Sequence, residues 1–189
     1  MADIRSFIAV AVDDGIIARL AALQGELRRA DAPVSWVRPE GMHLTLKFLG
    51  NVPEARIPDI GDALREVAAG RATFRVSMEG TGAFPNPRRP RVIWADVRDG
   101  RETLVELAGA VDAALAGLGF PPEDRPFSPH LTLGRVKISS HLEKLMALLE
   151  SHAGDRFGEM AVTEVILFQS ELSPKGAKYT PLRRMTLGG

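Results

Sequence analysis

The tetrapeptide His-Leu-Thr-Leu occurs twice in this chain, at residues 43–46 and again at residues 130–133, an interval of 87 residues. The chain has only four histidines, and two of them falling into one tetrapeptide by chance is an event on the order of 10⁻⁶. A repeat of this kind implies a duplicated folding unit. Shifting the first half by that interval lays strand, helix, histidine-bearing strand, helix and strand near their second-half counterparts. One two-lobed domain of residues 1–189 is therefore expected, with pseudo-twofold halves at about 1–82 and 91–189 and room for intertwined termini.

Patterning supplies the elements. Apolar and β-branched runs or strict alternation mark strands at residues 4–12, 34–38, 43–49, 73–80, 92–97, 130–136, 159–171 and 179–187. Leu20, Leu23 and Leu27 share one face of a helix at 16–29, and Leu104, Leu107, Val111 and Leu115 do so at 102–118, with further helices at 53–69 and 141–151. Residues 82–91 hold three prolines and three arginines without an acid, the composition of a loop joining the halves.

On a strand, alternate side chains share a face, so His43, Thr45 and Lys47 are expected together, with Leu44, Leu46 and Phe48 turned into a core. His130 and Thr132 pair likewise in front of Leu131 and Leu133. A single strand histidine is more often a hydrogen-bonded structural residue than a catalyst. The duplication reverses that reading, because two imidazoles converging on one cleft suit phosphoryl chemistry with a base on one side and an acid on the other. Threonine hydroxyls donate to phosphate oxygens, and Lys47 or Arg135 would offset their charge. Strict alternation turns Arg135 away from His130, so it reaches the site only if the strand twists or bulges. Two imidazoles with neither thiolate nor carboxylate inside either motif leave a divalent ion short of ligands, so no metal is expected.

Composition removes other classes. Lys and Arg number 24 and Asp and Glu 24, for zero net charge, against a protein that coats long duplexes through their phosphates. The absence of cysteine removes disulfides, thiolate metal sites and a cysteine nucleophile, and fits a cytoplasmic setting. The apolar run at the amino terminus is too short for a membrane span and lacks a signal-peptide profile.

With these motifs in hand, the chain resembles the two-histidine phosphoesterase superfamily, and within it the RNA 2′,3′-cyclic phosphodiesterases, also called 2′-5′ RNA ligase-like proteins. The likeness extends beyond the tetrapeptides to Arg5-Ser6-Phe7-Ile8-Ala9-Val10, Trp36-Val37-Arg38, Phe48-Leu49-Gly50, Arg125-Pro126-Phe127-Ser128-Pro129, Gly134-Arg135 and the tail from Ser173 to Leu182. It implies a bilobal α+β fold with two antiparallel sheets flanking a central cleft and helices outside. It also implies hydrolysis of a terminal 2′,3′-cyclic phosphate to a 2′-phosphomonoester without cofactor, with His43 as proton donor and His130 as acceptor. Motif symmetry alone assigns neither role. With a 5′-hydroxyl in place of water, the same pair would join RNA ends, independently of ATP since no phosphate-binding G-x-x-x-x-G-K-[ST] loop occurs. The alternatives are a phosphodiesterase of small cyclic-phosphate nucleotides and a non-catalytic RNA-binding module of the same fold. Either enzyme is expected to act as a monomer on RNA ends or nucleotides.

Other features carry weaker expectations. Trp36, Phe84, Phe127 and Tyr179 flank the motif segments as core residues or as stacking surfaces for a terminal base, each such contact contributing about 1–3 kcal/mol. Two basic groups, Arg88, Arg89 and Arg91, and Lys175, Lys178, Arg183 and Arg184, are solvated loop charge unless both rim the cleft and hold an RNA backbone. His141 and His152 are expected on one exposed helix face with no role.

Overall fold

The chain, described over residues 2–188 in a computed structural model, is an α+β fold built on two antiparallel sheets. Strands β1 (Asp3–Ala11), β3 (His43–Pro53), β8 (Glu164–Ser173) and β9 (Gly176–Thr186) form a four-stranded sheet in the order β3-β1-β8-β9. Strands β2 (Val34–Trp36), β4 (Phe74–Phe84), β5 (Val92–Val97), β6 (His130–Val136) and β7 (Arg156–Val162) form a five-stranded sheet in the order β2-β6-β5-β4-β7. Each sheet draws strands from both ends of the chain. The segment expected as one strand over 159–171 is two, because the backbone leaves the five-stranded sheet after Val162 and enters the other at Glu164.

Helices α1 (Asp14–Leu27) and α4 (Glu143–Ser151) pack on the five-stranded sheet, and α2 (Ile57–Ala69) and α3 (Arg101–Ala116) on the four-stranded one. The apolar faces read from the sequence are buried here: Leu20 and Leu27 are inaccessible, as are Leu104, Leu107, Val111 and Leu115. Each such side chain contributes roughly 1.5–3 kcal/mol by leaving water. Two corrections concern local structure. Strand β4 runs on to Phe84, so the proline-rich loop is shorter than its composition suggested. Helix α4 begins only at Glu143; His141, at φ 58, precedes it and His152 follows it, so they share no helix face. His152 is also partly buried, with Nδ1 2.6 Å from Asp155 Oδ2 and Nε2 3.3 Å from Glu26.

The decisive departure from simple alternation lies inside both motif strands. Thr45 lies opposite Ala9 and Lys47 opposite Ile8, so Leu46 is an extra residue in β3. In β6, Thr132 lies opposite Trp94 and Gly134 opposite Ile93, so Leu133 is the extra residue. Each tetrapeptide thus ends in a β-bulge, which puts two consecutive residues on the core side and returns the next one to the cleft. Burial follows suit: in each strand the histidine and threonine are half-buried, the residues at offsets one, three and four are buried, and the one at offset five is exposed.

This overturns the expected positions of Lys47 and Phe48. Lys47 is only 4% exposed and turns toward α3, where Nζ donates to Asp112 Oδ1 at 2.6 Å, to the Pro121 carbonyl at 2.9 Å and to Glu123 at 3.4 Å. Its three protons are therefore used in structure. Phe48, expected in the core, is 59% exposed on the cleft face. The second bulge is held differently. Gln24, buried among the leucines of α1, donates from Nε2 to the carbonyls of Leu133 and Val37, both at 2.8 Å. Glycine is required at Gly134, where a Cβ would lie 2.6 Å from Val34 and 2.9 Å from the Trp36 ring.

The Lys47 side chain is 3% exposed and the Asp112 side chain 24%, so removing the aspartate strands a buried charge whereas removing the lysine strands one that water reaches. Asp112→Ala is therefore expected to lower unfolding free energy in urea titrations by about 3 kcal/mol, and Lys47→Met by less than half of that.

Candidate active site

Strands β3 and β6 touch each other across the two sheets, so the two motifs meet. His43, Thr45, His130 and Thr132 line one cleft of about 390 Å³, together with Arg125, Phe127, Arg135 and Tyr179. A second cleft of about 590 Å³ opens beside it on the His43 side, sharing His43, Thr45, Phe48, Arg135 and Tyr179 but not His130 or Thr132. Among the described residues no cluster of three or more His, Asp or Glu side chains is placed to hold a metal ion, and no helix is long and apolar enough to cross a membrane.

The two imidazoles sit on equivalent frames in different surroundings. His130 Nδ1 lies 2.7 Å from the carbonyl oxygen of Ser128; a proton on Nδ1 makes that bond and leaves the Nε2 lone pair free. The Ser128–Pro129 segment is in turn held by Arg101, which donates to Ser128 Oγ at 3.1 Å and to Asp96 Oδ1 at 2.7 Å, Asp96 being the residue opposite His130 on β5. The Phe84 ring stands perpendicular to the imidazole at 4.9 Å, so Phe84 packs the histidine. His43 is enclosed by the small apolar cluster on the cleft face of the four-stranded sheet. Its ring centroid is 4.6 Å from Phe168, 5.5 Å from Tyr179 and 6.1 Å from Phe7. The carbonyl at the matching position, Gly41, favours its charged form, but His43 Nδ1 is buried without a hydrogen-bond partner among the described residues. A Cβ on Gly41 would lie 3.1 Å from the Tyr179 ring, so glycine lets that ring close over the site.

Burial holds both imidazoles below the ordinary histidine value, because a charged ring loses hydration there. For His130 the Ser128 carbonyl opposes this, Arg135 and Arg101 reinforce it, and Asp96 opposes it. His43 is lowered by desolvation, which the Gly41 carbonyl opposes.

Of the residues singled out in the sequence, His43, Thr45, His130, Thr132, Phe127 and Tyr179 come together, and Arg135 joins them through the Leu133 bulge. Lys47 touches the cleft wall but its ammonium is committed to Asp112. Trp36 lines the larger cleft with Arg28 over its ring. Neither expected basic group rims the site as a group. Arg88, Arg89 and Arg91 line neither cleft, Lys178 and Arg184 pair with Glu171 and Glu164, and only Lys175 reaches the larger cleft. The sequence reading missed Phe48 on the cleft face and the unpaired Arg5 and Arg38 in the larger cleft. Nothing short of the bulge exposes Phe48, whereas Arg5 was recoverable from its two-residue spacing to Phe7 on β1.

Two antiparallel sheets thus face one cleft, and each presents a histidine and a threonine to it. Comparison with known proteins gives the family. The sequence model of the LigT like Phosphoesterase family matches residues 10–94 and again residues 96–179. An RNA 2′,3′-cyclic phosphodiesterase of Methanothermobacter thermautotrophicus is 40% identical over 179 residues, covering 95% of this chain and 96% of the relative. One from Archaeoglobus fulgidus is 41% identical over 95% of this chain and 98% of the relative. Among solved structures, TT0787 of Thermus thermophilus superposes with a TM-score of 0.82 at 34% identity over 98% of both chains. LigT of E. coli in complex with 3′-AMP superposes with 0.79 at 26% identity over 99% of both. The chain belongs to the LigT-like phosphoesterase family.

Both imidazoles are expected to titrate below 6.5 in proton-detected NMR of the free protein, the ordinary value from which burial lowers them. The unfolded chain then binds more protons, so stability held above that pH is lost as pH falls through the folded values. His43→Asn/His130→Asn is expected to flatten this acid loss in thermal melts.

Proposed function

We propose that this protein hydrolyses the 2′,3′-cyclic phosphate at an RNA 3′ end to a 2′-phosphomonoester, with His130 as general base and His43 as general acid. The observation that carries this reading is the meeting of both His-x-Thr motifs in one cleft. The names of the archaeal relatives at 40% and 41% identity support the substrate.

The environments support the division of labour. Arg135 and Arg101 disfavour a proton on His130, and the Ser128 carbonyl leaves its Nε2 lone pair free to accept one. His43, packed among Phe7, Phe168 and Tyr179, is the ring assigned the proton the acid must deliver. Water gives its proton to His130 Nε2 as its oxygen attacks phosphorus. The P–O3′ bond breaks in line with that attack, and His43 delivers its proton to O3′. The ring opens to 2′-phosphate and 3′-hydroxyl. Each imidazole then holds the other's starting charge state, and exchange with solvent resets the pair. Thr45 and Thr132 donate to the equatorial oxygens, where negative charge grows, and Arg135 lies close enough to offset it. Phe48, exposed on the same face, offers its ring to the terminal base. With a 5′-hydroxyl in place of water the same acid and base join RNA ends through a 2′-5′ bond, with ring strain in the cyclic phosphate as the drive.

Incubation with a cyclic-phosphate oligonucleotide in EDTA tests this. The wild type is expected to yield 2′-phosphate only, and His43→Ala and His130→Ala to lose about 10³-fold or more in kcat. Turnover abolished by EDTA and restored by a divalent ion, or a 3′-phosphate product, contradicts it.

The pH profile gives a second test. In the free enzyme, protonation of His130 sets the acid limb and loss of the His43 proton the alkaline limb, and both groups lie below the ordinary 6.5. The kcat/KM profile is therefore expected to be a bell with its maximum below pH 6.5. The kcat profile should sit higher, because a bound anion favours imidazolium.

A further inference from the structure

The larger cleft has more room than the catalytic one, about 590 Å³ against 390 Å³, and the chemistry proposed above uses little of it. Its lining contains Arg5, Arg38, Arg135 and Lys175 and no aspartate or glutamate. Elsewhere, Arg65, Arg75, Arg98, Arg101, Arg156, Lys178 and Arg184 each pair with a carboxylate, and cations outside any ion pair among the described residues, such as Arg29, Arg71 and Lys137, line neither cleft. Among the described residues, Arg5, Arg38 and Lys175 enter no ion pair and give no side-chain hydrogen bond. In a protein of zero net charge, three unpaired cations gathered on one cleft without an acid make a site for several negative charges.

The three come from separate elements, which makes the arrangement a property of the fold. Arg5 stands two residues before Phe7 on β1. Arg38 follows β2 and crosses toward the β8–β9 turn, its Nε 3.5 Å from where a Cβ on Gly176 would lie. Lys175 sits in that turn, which Ser173 Oγ orders by donating to the Gly176 carbonyl at 2.8 Å and accepting from the Lys175 amide at 3.2 Å.

Chain polarity then selects the occupant. In-line departure of O3′ puts the terminal ribose on the side of the group that protonates it, and every upstream nucleotide leaves through the 5′ carbon of that ribose. The larger cleft holds His43 and Thr45 but neither His130 nor Thr132, so it lies on that side. A single cyclic nucleotide has one phosphate, which the two motifs take, and leaves the three cations without a counter-charge. An RNA strand supplies one phosphate per residue.

We propose that this cleft is a track for the RNA segment 5′ of the cyclic phosphate, with Arg5, Arg38 and Lys175 binding its backbone phosphates. The inference rests on the assignment of His43 as the acid. It makes oligonucleotide ends, not mononucleotides, the preferred ligand, which separates the RNA reading from that of a cyclic mononucleotide substrate.

The test is equilibrium binding of RNAs of one to six nucleotides ending in a 2′-phosphate, followed by fluorescence anisotropy. This requires no turnover, so a chain that fails to hydrolyse cyclic phosphates overturns the proposed function without blocking this measurement. In the wild type, affinity is expected to rise about tenfold or more from one to four nucleotides, with a log–log salt slope near −2 for three single-strand phosphate contacts. The variant Arg5→Gln/Arg38→Gln/Lys175→Gln is expected to lose both the gain with length and most of the slope. Each single variant should lose about a third of the slope, a reading independent of whether the triple variant folds. Wild-type affinity that does not depend on length, or a length gain that survives in the folded triple variant, overturns the proposal. So does an equal length gain for RNA lacking the terminal phosphate, which would mean that the strand is not anchored in this register.

Discussion

The site depends on an extra residue in each of two strands. An unbroken pleat would face His43, Thr45 and Lys47 to the cleft and send Phe48 to the core, as alternation requires. The bulges at Leu46 and Leu133 instead give the cleft the residues at offsets zero, two and five: His43, Thr45 and Phe48 from one strand, His130, Thr132 and Arg135 from the other. An aromatic ring and a guanidinium thereby occupy equivalent positions in the two halves. Both bulges are anchored by polar groups inside apolar surroundings, the Lys47 ammonium on Asp112 and the Gln24 amide on the Leu133 carbonyl. Such groups are costly to bury unless every donor is satisfied, and here their donors meet acceptors.

On this near-symmetric scaffold the surroundings differ in charge and polarity. His43 lies among Phe7, Phe168 and Tyr179, whereas His130 lies near Arg135, Arg101 and Asp96 and has its Nδ1 on a carbonyl. The same tetrapeptide thus presents two imidazoles to one cleft in different surroundings, an asymmetry that motif symmetry does not provide and that the proposed division into acid and base uses.

The pairing of the two tetrapeptides, the α+β class and most strands and helices were legible in the sequence, because burial patterns repeat with the period of each element. What was not legible shares one cause: it depends on partners distant in the chain. A bulge is invisible to alternation, so Lys47 was placed in the site and Phe48 in the core. The exchange of strands between sheets at Thr163 leaves no local mark, and residues 159–171 read as one strand. Basic residues adjacent in sequence, such as Arg88 and Arg89, suggested a patch. The cations that gather in space, Arg5, Arg38 and Lys175, are scattered through the chain.

The most direct measurement of the central claim is a crystal structure with a short RNA carrying a pentacoordinate vanadate on its terminal ribose. In that complex His130 Nε2 is expected within hydrogen-bond distance of the apical water-derived oxygen and His43 hydrogen-bonded to the apical O3′, with both threonine hydroxyls on equatorial oxygens. Vanadate held by one motif alone, with the other imidazole out of reach of either apical oxygen, would contradict it.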